Sequence, residues 1–261
     1  MLTGFFKKFN FAHRSSFGPL FFIIFIGALA FALSQGSSRW WLYSYLIHFA
    51  IFTFGVGFGL HRIIAHQAAD PPKIVQRFAA LIGVLAQVGS PVSWRTVHLL
   101  HHAHSDRDRD PHSPSQLGWR VILGATTPPA KESIIESLLA ARTLRDPFFI
   151  FLHKYYYVIT AVYWTTCFSF FGVMGLVYLA IIPTGLSFLS LGFLNYFAHS
   201  AFGYQNFATN DRSRNIWWLW PLTFGENWHN NHHQAPGSSS TSTKNFEIDF
   251  ISIYFVITKL F

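Results

Sequence analysis

The segment WWLYSYLIHFAIFTFGVGFGL (Trp40–Leu60) runs directly into HRIIAH (His61–His66). A helix that crosses a bilayer needs about 20 consecutive, mostly apolar residues, and this segment has that length. It opens with two tryptophans, a residue type that is enriched at membrane interfaces. The segment therefore predicts a membrane helix that ends beside a pair of histidines.

Three further segments have the apolar character of membrane helices, although the first is slightly short. They are Pro19–Leu33, Tyr155–Phe171 and Met174–Phe197, and an uncharged hairpin is predicted around Gly172 and Gly175 between the last two. Charged residues make up 11% of the chain, whereas a typical soluble domain carries about 25%. All Asp and Glu residues lie outside the four segments, as the cost of burying charge in lipid predicts. We therefore expect an all-α integral membrane protein with four transmembrane helices.

Two apolar stretches have more than one interpretation. Pro19–Leu33 also has the basic start and the small residues of a cleaved signal peptide. We favour a span, because the next apolar run follows almost at once and pairs with it as a hairpin. Phe78–Val92 is interrupted by Gln87, Gly89 and Pro91, so we expect an in-plane or partly buried helix there.

The distribution of Lys and Arg predicts the orientation of the chain. Basic residues precede the first span (Lys7, Lys8, Arg14), fill the segment 61–154 and follow the last span (Arg212, Arg214, Lys244, Lys259), whereas the two short connections hold only Arg39. Since basic loops stay in the cytoplasm, both termini are predicted to be cytoplasmic. Residues 61–154 and 198–261 then form a cytosolic helical cap, within a single domain that spans residues 1–261.

Composition also restricts the partners and the ligand chemistry. The formal charge of +8, in so apolar a chain, indicates an anionic membrane surface as partner rather than nucleic acid. Cys167 is the only cysteine, so the chain forms no internal disulfide and a thiolate metal site is disfavoured. Any metal ion is expected to be bound through nitrogen or oxygen.

Histidines occur in three clusters that suggest metal binding. HLLHH (His98–His102) and HNNHH (His229–His233) share one spacing, and HRIIAH (His61–His66) places two histidines five residues apart. Residues three and four apart lie on one face of a helix, so the histidines of each H-x-x-H-H cluster are predicted to point at one place. Eight imidazoles are too many for one ion, and two metals with four or five nitrogen ligands each fit the count. Imidazole suits iron, copper, zinc and nickel alike.

The remaining candidates near these clusters are individual residues. His199 lies one turn after Asn195 in NYFAHSAFG, and we expect His199 as a ninth ligand, with Asn195 acting through a water molecule. Glu226 either orients a ligand imidazole or caps a helix. His48 is either a core histidine or a polar group that lines a tunnel. We interpret His13, His104, His112 and His153 as non-ligands.

The motifs HRIIAH, HLLHH, NYFAH and HNNHH, in that order, together with DRDPHSP and GENWHNNHHQAP, resemble those of the membrane-bound fatty-acyl desaturases of the delta-9 acyl-CoA and acyl-lipid type. The resemblance extends over about residues 55–255. It implies four membrane helices and a cytosolic helical cap that holds a di-iron centre. The implied iron ligands are His61, His66, His98, His101, His102, His199, His229, His232 and His233, with Asn195 holding a water. Trp94 matches a position that lines the acyl tunnel, although an ordinary buried aromatic residue is the alternative.

The resemblance implies an enzyme that uses two Fe²⁺ ions and O₂ to insert a cis double bond, expected at delta-9, into an acyl chain on CoA or a glycerolipid. The alternative is a related membrane di-iron hydroxylase of alkyl, carotenoid or sterol substrates, and a less favoured one is a non-enzymatic membrane metal carrier. No haem-binding or cysteine-rich module is visible, so we expect a separate electron donor such as ferredoxin or a b-type cytochrome. Membrane lipid is a further expected partner. Chain length, acyl carrier, double-bond position and donor are left open.

Overall fold

The computed structural model describes residues 14–36, 38–127 and 146–258, and in these ranges the chain is helical. The helices are α1 (Arg14–Gln35), α2 (Ser38–Ala50), α3 (Lys73–Val84), α4 (Pro91–His104), α5 (Pro114–Leu117), α6 (Pro147–Lys154), α7 (Tyr156–Met174), α8 (Ile182–Phe197), α9 (Trp220–Thr223), α10 (His229–Gln234) and α11 (Ile253–Thr258). Two π-helices, Ile51–Ala65 and Gly175–Ile181, and three 3₁₀ turns, Gly118–Val121, Trp217–Leu219 and Phe250–Ser252, complete them. The described part has no β-strand, so the all-α class is confirmed. Lys7, Lys8, His13 and Lys259 lie outside the described residues.

The longest uninterrupted helix joins α2 to the first π-helix. Arg39–Ala65 is long and apolar enough to cross a membrane. The helix continues past Leu60, where the sequence predicted that the span would end, and the residues from Leu60 to Ala65 are all buried. His61 therefore lies within the helix rather than in the segment that follows it.

The last two predicted spans form a helical hairpin with its turn at Gly172. Tyr156–Phe197 is the second stretch that is apolar enough to cross a membrane, but Gly172 interrupts it with φ 61° and ψ −152°. The Tyr163 hydroxyl donates a hydrogen bond to the Leu179 carbonyl. Residues 16 apart would be separated by about 24 Å along one straight helix. The chain therefore folds back on itself at the glycine, as the sequence predicted.

The weak apolar stretch Phe78–Val92 is divided between two helices. The first, α3, ends at Val84, and Gln87 has a positive φ of 56° before α4 begins at Pro91. One face of α3 packs closely on the π-helix, since a Cβ atom added to Gly55 would lie 2.6 Å from the Gly83 backbone nitrogen. Ile74 and Phe78, on the other side of α3, are exposed. The expectation of a partly buried helix is thus confirmed for α3 alone.

The hydrophobic core lies where the π-helix, α3, α4, α6 and α8 meet. Its buried side chains include Phe52, Leu60, Val84, Leu152 and Leu191. Besides the two long stretches, Leu20–Gln35 is a shorter apolar helix. The polar segment after α8 packs against the ends of the long helices and contributes α10, which carries the third histidine cluster.

Candidate metal centre

Nine histidines converge in two adjacent groups. The five-histidine group consists of His61, His66, His98, His102 and His232, and the four-histidine group consists of His101, His199, His229 and His233; within each group the nitrogen atoms lie within 4.8 Å of one another. The groups are neighbours, because the rings of His102 and His233 stack with their centroids 4.4 Å apart. Every histidine that the sequence singled out as a ligand belongs to one of these groups.

Each H-x-x-H-H cluster is shared between the two groups, so the expectation that all three of its histidines point at one place was wrong. In α4, His98 and His102 belong to the five-histidine group and His101 to the other. In α10, His229 and His233 belong to the four-histidine group, and His232 belongs to the five-histidine group. The physical reason is that an α-helix has 3.6 residues per turn. A residue three positions along the helix therefore points to one side of the starting residue, and a residue four positions along points to the other side. Both helices therefore lie between the two groups.

The π-helix explains the five-residue spacing of HRIIAH. In a π-helix each N–H bonds to the carbonyl five residues earlier, and the His66 N–H donates to the His61 carbonyl at 3.0 Å. Residues five apart are then neighbours on one face, and the two imidazole centroids lie 4.9 Å apart. Arg95 fixes the end of this helix by donating to the carbonyls of Ile64 and Ala65. Two histidines five residues apart would point in different directions on an α-helix, whereas on this π-helix they lie side by side.

Polar side chains cap the N-termini of the two helices that carry the other clusters. Ser90 precedes α4, and its hydroxyl accepts from the Ser93 N–H at 3.2 Å. The N-terminus of α10 is capped by Asn215, whose side-chain oxygen accepts from the N–H groups of Asn230 and Asn231 at 2.9 and 3.3 Å. Capping satisfies backbone donors that the first turn leaves without partners. It also fixes the direction in which α10 presents its imidazoles.

Carboxylates orient four of the nine imidazoles. The Nδ1 atoms of His61, His101, His199 and His233 contact Glu226, Asp110, Asp106 and Asp211 respectively. An imidazole that donates from Nδ1 presents a lone pair at Nε2, which is the arrangement that prepares a histidine for a metal ion. Of the two interpretations of Glu226, the structure supports orientation of His61. Sequence reasoning missed the three aspartates, although DRDRDPH (Asp106–His112) and TNDRS (Thr209–Ser213) contain them.

A buried arginine holds Glu226 in place. The guanidinium of Arg62, which is 1% exposed, donates to Glu226 Oε1 at 3.0 Å and to Asp249 Oδ2 at 2.8 Å. Asp249 also accepts from the backbone N–H of Ile251. Charged groups are buried only when they are paired in this way. The network connects the π-helix to the segment that precedes α11.

The spacing of the Nε2 atoms fits nitrogens that share a metal ion. The Nε2–Nε2 distances are 3.0 Å for His61–His232, 2.7 Å for His66–His98, 3.1 Å for His98–His102, 2.9 Å for His102–His232, and 3.0 Å for both His199–His229 and His229–His233. Two nitrogens that bind one ion at about 2.1 Å, at right angles, are about 3.0 Å apart. The carboxylate contacts leave lone pairs on His199 and His233 that both face His229 Nε2, and a cation bound between the three nitrogens would attract all of them.

The electrostatic state of the imidazoles also suits a metal ion. Burial, together with neighbouring imidazoles, lowers the pKa of His102 to about 3. The same causes, with burial the largest, lower the pKa of His66, His98, His101, His229, His232 and His233. These imidazoles are neutral at physiological pH, as metal ligands must be. Within the described residues, His101 Nε2 is buried without a hydrogen-bond partner.

The other histidines have different environments. His48 is a core histidine, since it contacts the Ser187 hydroxyl at 2.9 Å and the Leu222 carbonyl at 3.2 Å. His153 contacts Ser90, and His104 joins no group of possible metal ligands in the described part. His112, which we interpreted as a non-ligand, stacks on His101 with centroids 4.2 Å apart and forms a third possible group with His101 and Asp110.

A largely apolar cavity, whose empty space of about 620 Å³ includes its open mouth, is lined by residues of both histidine groups. Its lining is Phe52, Val56, His61, Val88, Ser93, Trp94, Val97, His98, His112, Thr126, Leu191, Leu194, Asn195, Glu226 and His229. Trp94 lines this cavity and stacks on His98 with ring centroids 5.7 Å apart. Asn195 lines it one turn before His199. The cavity therefore brings apolar walls and two sets of imidazoles to one place.

The fold and the site define a helical protein in which histidines alone form two adjacent possible metal sites. The profile of the family described as "Fatty acid desaturase" matches residues 38–241. An sn-1 stearoyl-lipid 9-desaturase of Anabaena variabilis is 32% identical over 254 residues, covering 88% of this chain and 85% of that protein. An sn-2 palmitoyl-lipid 9-desaturase of Nostoc sp. (strain 36) is 31% identical, covering 78% and 72%. Delta-9 acyl-lipid desaturase 1 of Arabidopsis thaliana is 33% identical, covering 81% and 69%.

The chain belongs to the fatty acid desaturase family. It is therefore an oxidoreductase that introduces double bonds into fatty-acyl chains.

Proposed function

We propose that this enzyme inserts a cis double bond at the delta-9 position of a saturated acyl chain carried on a glycerolipid. The observation that carries the proposal is the apolar cavity that is lined by residues of both histidine groups. The printed names of three relatives describe lipid-linked substrates and a 9-desaturase activity. Two of these relatives act on different sn positions, so the position on the glycerol is left out of the proposal.

We propose that each histidine group holds one iron ion. The five-histidine group would supply five imidazole nitrogens and the four-histidine group four, with Asn195 adding a ligand to the latter through a water. Imidazole suits iron, and O₂ chemistry requires an open coordination position, which the smaller set of ligands allows. When bound, the two ions would supply the activation of O₂. The residues of the chain hold the ions, orient the substrate and exclude water.

The redox balance requires an external reductant. Converting –CH₂–CH₂– to –CH=CH– releases two electrons and two protons, whereas reducing O₂ to two water molecules consumes four of each. Two electrons and two protons therefore come from outside the substrate in each turnover. We propose a separate one-electron carrier, such as ferredoxin or a b-type cytochrome, as the electron donor.

The cavity provides the selectivity, because a methylene chain offers no polar group to recognise. Regiospecificity then depends on where the walls hold the chain, which is a positioning effect. Trp94 is proposed to contact the acyl chain, since it faces the cavity and packs against His98. Phe52, Val56 and Leu191 provide apolar surface along the same space.

We propose that the chain crosses the membrane four times, with both termini in the cytoplasm. The helical hairpin at Gly172 supports two crossings, and Arg39–Ala65 supports a third. The apolar helix Leu20–Gln35 would be the fourth. Side chains on these helices are apolar and exposed, such as Ile23 at 68% and Phe170 at 77%, which suits contact with lipid.

Expression in a host that lacks its own desaturase tests the proposed function. Lipids are extracted, and double bonds are localised by mass spectrometry after chemical derivatisation. We expect a new cis-9 monoene in the glycerolipids and its loss in the His232→Ala variant. A hydroxylated product without an alkene would indicate the hydroxylase alternative, and iron accumulation without any altered lipid would indicate the carrier. Either result would contradict the proposal.

A further inference from the structure

The two histidine groups differ in what surrounds them. Behind the five-histidine group, the carboxylate that orients His61 is itself buried and paired with Arg62, which is 1% exposed. Arg62 is paired in turn with Asp249, which is also buried. The next charged groups on this side of the site are therefore interior ones. In the described part of the chain, the charged groups that support His61 are thus separated from the surface.

Behind the four-histidine group, two of the three orienting carboxylates, those of Asp106 and Asp211, lie close to the protein surface, whereas Asp110 is buried. Asp106 contacts His199 at 3.2 Å, and Asp211 contacts His233 at 2.7 Å. Each aspartate is followed in the chain by an arginine with an exposed side chain, Arg107 and Arg212. An exposed cation thus directly follows a carboxylate that touches a candidate metal ligand, and this occurs twice.

These two loops touch each other and form one surface. The backbone N–H of Arg212 donates to Asp106 Oδ2 at 2.7 Å. Arg109 is also exposed, on the same turn as Arg107, and Asp108 between them is an exposed acidic residue. We call Arg107, Arg109 and Arg212 the arginine surface. In the described part of the chain, the hydrogen bonds of Arg107 and Arg212 involve their backbone atoms alone, so their guanidinium groups face outward.

We propose that the arginine surface is the docking site of an acidic one-electron carrier and that electrons enter through the four-histidine group. This inference rests on the proposed function, which requires two external electrons per turnover. Each reduced carrier is oxidised by one electron, so two carriers dock in succession for each O₂ reduced to water. A carrier at this surface is separated from His199 or His233 by one aspartate and its hydrogen bond, which makes a short path.

Charge complementarity identifies the partner. Three exposed arginines against one exposed aspartate attract an acidic protein, and such attraction accelerates encounter. Lipid headgroups are the competing partner, because exposed aromatic residues such as Phe202 and Trp217 lie further along the same segments. Binding of lipid headgroups would not explain why the arginines lie beside Asp106 and Asp211, the carboxylates that contact candidate metal ligands. We therefore favour the carrier.

The test uses the purified full chain, loaded with iron, and an acidic plant-type [2Fe–2S] ferredoxin as donor. The variant is Arg107→Glu/Arg212→Glu. The control is Lys73→Glu/Arg120→Glu, which makes the same charge change at two exposed residues elsewhere. We expect the KM for ferredoxin to rise about tenfold at low ionic strength in the variant only, and the difference to shrink as salt screens the charges. Binding of ferredoxin to the immobilised protein should weaken by the same factor.

Three further readouts separate docking from other roles. Iron content and desaturation driven by dithionite should equal those of the wild type, because neither needs the carrier. An unchanged KM for ferredoxin, or a parallel loss with both reductants, would overturn the proposal. Weaker binding to vesicles of anionic phospholipid, with ferredoxin binding unaltered, would assign the surface to lipid instead. Absence of an alkene from the dithionite-driven wild type would refute the proposed function rather than the docking site.

Discussion

At the scale of single residues, the candidate centre depends on the carboxylates behind the imidazoles. Glu226 is the most informative, because it contacts His61 Nδ1 and also pairs with the buried Arg62. A carboxylate that accepts from Nδ1 keeps the lone pair at Nε2 and makes the imidazole a stronger ligand. Loss of this acceptor should therefore be visible in metal binding, although Glu226 is proposed to touch no metal ion.

We expect Glu226→Gln to weaken iron binding at the five-histidine group by about 10- to 100-fold. The amide accepts a weaker hydrogen bond from His61 and leaves the guanidinium of Arg62 with one carboxylate instead of two. Iron affinity is measured by competition with a chelator. Asp70→Asn is the matched control, because Asp70 is exposed and outside both groups. Equal affinities in Glu226→Gln and wild type would show that the carboxylate does not support the ligand.

The sequence predicted the histidines but not their carboxylate partners. Spacing identifies His98, His101 and His102 because all three lie on one short helix. Asp211 contacts His233 from 22 residues away, and no periodicity relates a loop residue to a helix that it meets only in the folded chain. The alternation of the two groups was missed for a related reason, since the sequence does not show that a second group of imidazoles lies on the other side of the helix.

At the scale of elements, the sequence was most successful at the hairpin. Glycines at 172 and 175 divide an apolar run of 42 residues, and a residue that tolerates positive φ is what a sharp turn requires. The π-helix could not be predicted in the same way, because a mostly apolar sequence is compatible with an α-helix and with a π-helix alike. Only the five-residue spacing of His61 and His66 hinted at it.

Cysteine labelling tests the hairpin and the proposed topology. In a Cys167→Ser background, Val173→Cys and Gln35→Cys place exposed thiols in the two short connections, and Ser238→Cys places one in the predicted cytosolic cap. We expect a membrane-impermeant maleimide added to intact cells to label positions 35 and 173, and position 238 only after permeabilisation. Labelling of position 173 only after permeabilisation would contradict four crossings with cytoplasmic termini.

At the scale of the whole molecule, helices from distant parts of the chain build the centre. The five-histidine group combines the π-helix with its C-cap His66, α4 and α10, and the four-histidine group combines α4, α10 and His199, which lies two residues after α8. Without a cation, lone pairs face each other in a buried space. A metal ion bound there would therefore stabilise the folded chain by mass action.

Iron stoichiometry tests the central claim most directly. The purified full-length wild type, analysed by elemental mass spectrometry, should contain about two iron ions per chain, one for each set of imidazoles. His66→Ala/His102→Ala, in the five-histidine group, and His199→Ala/His233→Ala, in the four-histidine group, should each retain about one. One iron ion per wild-type chain, or a preference for zinc under iron-replete expression, would contradict the account.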